Sequence, residues 1–158
     1  MFRELARKQK QLSDEMCREL LKNERRGVLS VIGDGGYPYG MPLNHWFCES
    51  DGKLYFHGGM SGHRVDAIRR CNQVSYCVYD SGTREENGWA LVFRSVIVFG
   101  RAELIDDPER VIEISRQLSY QFTKDEAYIE NEIRCFAQKT LCLALTPEHI
   151  CGKRVVEK

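Results

Sequence analysis

Apolar residues along this chain recur at two spacings, and the switches between them mark out the elements. From Leu12 to Asn23, the residues Met16, Cys17, Leu20 and Leu21 share one helical face. Ser13 stands at the N-cap and Asp14 and Glu15 fill the first turn, so a short amphipathic helix is predicted within an N-terminal arm over residues 1–25. GVLSVIG (27–33) then alternates with the period of a strand. Asp34-Gly35-Gly36 is a turn, and YPYGMPLNHWF (37–47) is the returning strand of a hairpin. After a second turn at Asp51-Gly52, KLYFHG (53–58) reads as a third strand. The pattern becomes helical over residues 59–71, and QVSYCVYD (73–80), rich in β-branched and aromatic residues, returns to strand.

Residues 81–88 are polar and Gly-flanked, which predicts a loop. WALVFRSVIVFGRAELI (89–105) follows as one or two strands, with Gly100 at a bulge or a close backbone approach. Asp107-Pro108-Glu109 is a helix start, with Val111, Ile114 and Leu118 on the buried face. A second helix is predicted over 125–137, then a last strand over 139–150 that ends at Pro147, and a basic tail, CGKRVVEK. Six antiparallel strands result, with one helix after the third and two before the last. Hairpins in this order close most economically into a small barrel, because closure removes exposed edges. The predicted class is α+β, a six-stranded antiparallel barrel with peripheral helices, in a single domain spanning residues 1–158.

Composition narrows the function. With 158 residues the chain can bury a real core, and 42% hydrophobic against 29% charged residues is ordinary globular usage. Lys plus Arg number 23 and Asp plus Glu 23, so no overall positive field gathers a nucleic acid. The seven cysteines include no C-x-x-C pair and read as buried thiols in a reducing compartment. The four His are too scattered for a metal motif, so no metal is expected. The N-terminus is charged throughout, and no apolar run reaches the length of a membrane span. A cytoplasmic protein with no membrane partner is the expectation.

The chemistry concentrates in His57-Gly58-Gly59-Met60-Ser61-Gly62-His63-Arg64, between a strand end and a helix start. The glycines permit tight turns, Ser61 is a candidate N-cap, and free N–H groups at a helix start attract anions. His63 and Arg64 add donors, so the segment resembles a phosphate cradle. A flexible loop with solvated charges fits the same residues equally well. GMPLN (40–44) offers small and apolar residues on which a flat aromatic ligand could lie, or simply an edge strand holding a Pro. Trp46, Phe56, Tyr76 and Trp89 are candidates for an acceptor pocket, against the commoner role of core or interface. His45 reads as a polar-face strand residue, His149 as surface, and Cys71 as a buried thiol. No nucleophile with a paired base is evident.

RGVLSVIGDGGYPYGMPLNHWF, DGKLYFHGGMSGHRVDAIRRCNQVSYCVYD, SVIVFGRAELIDD and ICGKRV, in that order, resemble the FMN-binding split-barrel family typified by pyridoxamine 5′-phosphate oxidase. The branch containing the 5-nitroimidazole-resistance proteins is the most similar. The resemblance runs from about Arg26 to Val155. It implies a homodimer of six-stranded split barrels with FMN at the subunit interface. The isoalloxazine ring would lie along Met41, Pro42, Leu43 and Asn44, and ribityl and phosphate would rest on His57, Gly58, Ser61, His63 and Arg64. Ser95, beside Arg94, would reach in from the partner subunit. Where the oxidase has a Ser-Arg-Lys triad and a basic second strand, this chain has Ser61-Gly62-His63-Arg64 and Met41-Pro42-Leu43. It also ends soon after Gly152-Lys153-Arg154, without the oxidase's substrate segment, so pyridoxamine phosphate oxidation is not expected. At position 63, an imidazole supplies less fixed charge than an arginine.

The resemblance implies an FMN-dependent oxidoreductase passing electrons to a small-molecule acceptor, with nitroaromatic compounds as the acceptor class. The alternative is a flavin or haem binding module without turnover, and haem or a deazaflavin are the alternative cofactors. The charge distribution suits one small anion: residues 52–71 hold Lys53, Arg64, Arg69 and Arg70 against Asp66 alone.

Overall fold

A computed structural model describes residues 2–84, 86 and 88–157 of the chain. Helix α1 (Asp14–Asn23) starts where its cap predicts, the Ser13 hydroxyl accepting from the Met16 amide. Strands β1 (Arg26–Ile32) and β2 (Pro38–Asn44) form the first hairpin, and β3 (Trp46–Phe47) and β4 (Leu54–Gly59) the next. Helix α2 (His63–Arg70) leads to β5 (Gln73–Tyr79), the short β6 (Thr83–Arg84) and the long β7 (Leu91–Ile105). Helices α3 (Pro108–Tyr120) and α4 (Glu126–Phe136) precede β8 (Thr140–Val156). Asp107 and Asp125 cap α3 and α4 through their side chains.

All strand pairings are antiparallel, in the order β2-β1-β5-β7-β8-β4-β3 with β6 beside β7. The sheet curls so that its interior face, including Leu29, Tyr76, Val98 and Leu143, forms one cluster with Leu20 and Leu21 of α1 and Ile68 of α2. Burying Leu20 and Leu21 completely is worth about 1.5–3 kcal/mol each, which explains why so short a helix is held. A second cluster joins α3, through Val111, Ile114 and Leu118, to Tyr55, Cys142 and Ala144 on the outward face of β4 and β8. That packing stands α3 and α4 over one end of the sheet. Among the described residues, no helix is long and apolar enough to cross a membrane.

Six long strands make the split barrel, and the sheet counts eight because two short pieces add to it. One piece is β3, cut from β2 at His45, and the other is β6, inside the predicted loop. The last strand does not stop at Pro147. It runs on to Val156, so the expected basic tail is part of the sheet, with Lys153 opposite Ser95. Pro147 is tolerated because it lies opposite Gly100 at a register shift that leaves Glu148 as an extra residue. The N-terminal arm is less helical than expected. Residues Lys8–Lys10 make one 3-10 turn and Gln11 bridges to Lys153 before α1 begins.

His45 is fully buried rather than on a polar face. Its Nε2 lies 2.7 Å from the Leu21 carbonyl and its Nδ1 2.8 Å from the Tyr76 hydroxyl, tying α1 to the sheet at the β2–β3 break. Burial lowers its pKa from the ordinary 6.5 to about 4. The thiols also differ from expectation: all seven are free, Cys17 and Cys142 are buried, Cys135 is exposed, and the others, including Cys71, are half-buried. His149 is half-buried and stacks on Phe2 with ring centroids 4.9 Å apart.

Candidate functional site

The segment between β4 and α2 is built around one arginine and one glycine. Arg64, the second residue of α2, folds back so that its guanidinium covers Gly58 on β4. A Cβ at Gly58 would stand 2.9 Å from Cζ and 3.1 Å from Nη1 of Arg64, and closer still to Nη2. Only a residue without a side chain admits the guanidinium here. Arg64 is half-buried, and burial lowers its pKa while the nearby Tyr39 works against that shift. Among the described residues no carboxylate pairs with it.

Gly62, not Ser61, is the N-cap of α2, at φ 122°, a backbone conformation suited to glycine. Ser61 is exposed, and no side chain caps the helix. The amino end of α2 therefore presents uncapped N–H groups beside the Arg64 guanidinium. His63 sits differently. Its ring stacks on Tyr39 at 4.3 Å, and its Nε2 accepts from the Asp34 amide at 3.2 Å, which puts the ring proton on Nδ1. The Asp34 carboxylate in turn holds Arg70 at 2.7 Å, so the β1–β2 turn is fastened to α2 from below. His57, exposed at the end of β4, has its pKa lowered by desolvation and by the Arg64 charge.

Strand β2 lies at the end of the strand order, so one of its backbone edges is unpaired. Met41 and Leu43 point to the interior cluster, while Pro42 and Asn44 alternate to the outward face. The Asn44 side chain accepts from Arg26 Nε at 2.8 Å, and the Leu43 carbonyl lies 2.9 Å from the Tyr76 hydroxyl. The structure thus brings together His57, Gly58, Ser61, His63 and Arg64 around the start of α2, with Met41, Pro42, Leu43 and Asn44 on the neighbouring edge. Ser95 is elsewhere. It is buried between Tyr79 and Lys153, ten residues along β7 from Ile105, which is roughly 30 Å of straight strand.

The aromatic candidates from the sequence do not form a pocket. Phe56 and Tyr76 are core, Trp46 stacks on Tyr55, and Trp89 is exposed. A groove of about 410 Å³ exists instead between the sheet and the helices, with Asn44 and His57 on one side and Phe122, Tyr128 and Phe136 on the other. Tyr128, Glu132 and Phe136 are spaced by four residues along α4, beside the buried stripe of Ile129 and Ile133. That second stripe was the available signal in the sequence.

Known proteins place this architecture. No curated protein matches the chain in sequence. Among solved structures, a conserved hypothetical protein from Mycobacterium tuberculosis is 18% identical with a TM-score of 0.79, covering 95% of this chain and 90% of that one. A candidate 5-nitroimidazole antibiotic resistance protein from Bacteroides thetaiotaomicron is 19% identical with a TM-score of 0.77, covering 92% and 87%. An FAD and haem binding protein from Mycobacterium smegmatis is 20% identical with a TM-score of 0.66, covering 91% and 72%. These likenesses show a shared fold. In sequence, residues 13–154 match the model of the pyridoxamine 5′-phosphate oxidase family, and the chain belongs to that family.

Proposed function

We propose that the chain binds FMN and is an oxidoreductase that passes electrons from the reduced flavin to a small organic acceptor. The observation that carries this reading is Arg64: a half-buried guanidinium with no carboxylate partner among the described residues, seated on a glycine beside uncapped helix N–H groups. Such a group needs an anion, and a phosphate monoester fits its fork. His57, shifted toward its neutral form, adds little charge near neutral pH, so the anion is met chiefly by Arg64 and the backbone. His63 offers its Nδ1 proton while Asp34 occupies Nε2. The flat ring would lie along the free edge of β2, with Met41, Pro42, Leu43 and Asn44 as its contacts.

A bound flavin supplies hydride or single-electron transfer. The protein's part is to fix the phosphate, align the ring and keep water from it. A second copy of the chain would provide the missing wall. Val28, Cys77, Ile97 and Cys151 stand in one register row across β1, β5, β7 and β8, half-buried and on the face opposite the core. Pro42 is the partner of Val28 in the ladder, so the row borders the ring segment. Pairing two such rows would bury apolar surface and is the route by which Ser95 could join the partner's site. Nitroaromatic compounds are the first acceptor class to test, because the fold is shared with a candidate 5-nitroimidazole resistance protein.

The fold is also shared with an FAD and haem binding protein, so a haem in the same groove is the competing reading. An absorption spectrum of freshly purified protein separates them. Paired bands in the blue that bleach on reduction are expected, whereas a Soret band, or no chromophore and no uptake of added FMN, would overturn the flavin reading.

A further inference from the structure

The groove beneath α3 and α4 has a chemical character of its own. Phe122, Tyr128 and Phe136 are each more than half exposed and converge on it. Large aromatics gathered around a concavity are the usual mark of a ligand site rather than of ordinary surface. Glu132 is the single formally charged side chain among the described residues that line it. It is half-buried and has no ion-pair partner among the described residues, although its neighbour Glu130 pairs with Arg116. An unpaired carboxylate on an aromatic wall repels anions and favours cations, and the faces of Tyr128 and Phe136 act in the same sense, whereas the Phe122 ring already carries the Arg25 guanidinium 5.5 Å from its centroid.

We propose that this groove binds a small planar aromatic molecule that is neutral or carries one positive charge, and that Glu132 selects against anionic aromatics. Asn44 and His57 belong both to the groove and to the segment assigned to the flavin, so a molecule held here lies beside the cofactor. Identifying that molecule as the electron acceptor rests on the function proposed above. The binding preference itself does not.

The test uses three probes of one shape: para-nitrobenzylamine, para-nitrobenzyl alcohol and para-nitrobenzoate. Each is titrated by calorimetry into the full chain, with and without saturating FMN. The amine and the alcohol are expected to bind, with the benzoate at least about 10-fold weaker, the scale of one partly screened carboxylate. Glu132→Gln should bring the benzoate to within about 3-fold of the alcohol, and Phe122→Ala should weaken all three by about 5- to 10-fold. Equal affinities for the three probes, or a charge preference unchanged in Glu132→Gln, would overturn the proposal. If the preference is found but FMN does not bind, the cofactor reading fails and this site stands. If FMN binds and the preference is absent, this site alone fails.

Discussion

The guanidinium of Arg64 occupies the space that a side chain on Gly58 would fill. Strand end and helix start are thereby fitted to each other around a positive charge rather than around an apolar contact. Replacing Gly58 by Ala should push the guanidinium aside. Because the displaced atoms are the end of a flexible chain, the fold should lose less than about 1 kcal/mol. FMN affinity should nevertheless fall by about 10-fold or more. Thermal unfolding and flavin titration of Gly58→Ala together check this, and an unchanged affinity would separate Gly58 from the anion site.

The outward row of Val28, Cys77, Ile97 and Cys151 predicts a dimer. Sedimentation should give twice the chain mass. Ile97→Asp would place a charge in the middle of the contact and should yield a folded monomer that retains FMN poorly. A wild-type monomer with full FMN affinity would rule out a shared site.

Stability should depend on pH through His45. Its folded pKa of about 4 lies below the ordinary 6.5, so the unfolded chain binds the extra proton between those values. The stabilisation is complete above pH 6.5 and is lost as pH falls toward 4, by about 2 kcal/mol at pH 5 and about 3 kcal/mol at pH 4. His57 is shifted in the same direction and adds to the slope. Urea midpoints between pH 7 and 5 measure it, and His45→Gln should flatten most of the dependence. An equally steep dependence in His45→Gln would assign it to other groups.

Local signals in the sequence were enough for the helices and most strands. Ser13 and Asp107 act as caps because capping needs only residues within one turn. What the sequence hid depends on distant partners. The strand beyond Pro147 exists because residues 92–98 of β7 are there to pair with it. His45 is buried because a carbonyl of α1 and the Tyr76 hydroxyl come to meet its ring. Within the cradle, residue types alone ranked Ser61, His63 and Arg64 together. Tertiary structure sorts them, fastening His63 to Asp34, leaving Ser61 exposed, and placing Arg64 against Gly58 with no carboxylate partner among the described residues. The aromatic wall of the groove is not evident from Tyr128 and Phe136 alone, because Asn44 and His57 on its other side lie far away in the chain.

Arg64 is proposed to hold the phosphate of a flavin mononucleotide. The most direct measurement is a flavin titration of the full chain and of Arg64→Gln, followed by flavin absorbance and fluorescence. Loss of a charge-assisted contact worth about 1.5–3 kcal/mol should weaken FMN by about 10- to 100-fold, with the unfolding temperature nearly unchanged. Riboflavin, which lacks the phosphate, should bind the two proteins alike. Equal FMN affinities for wild type and Arg64→Gln, or no binding of FMN by either, would contradict the claim.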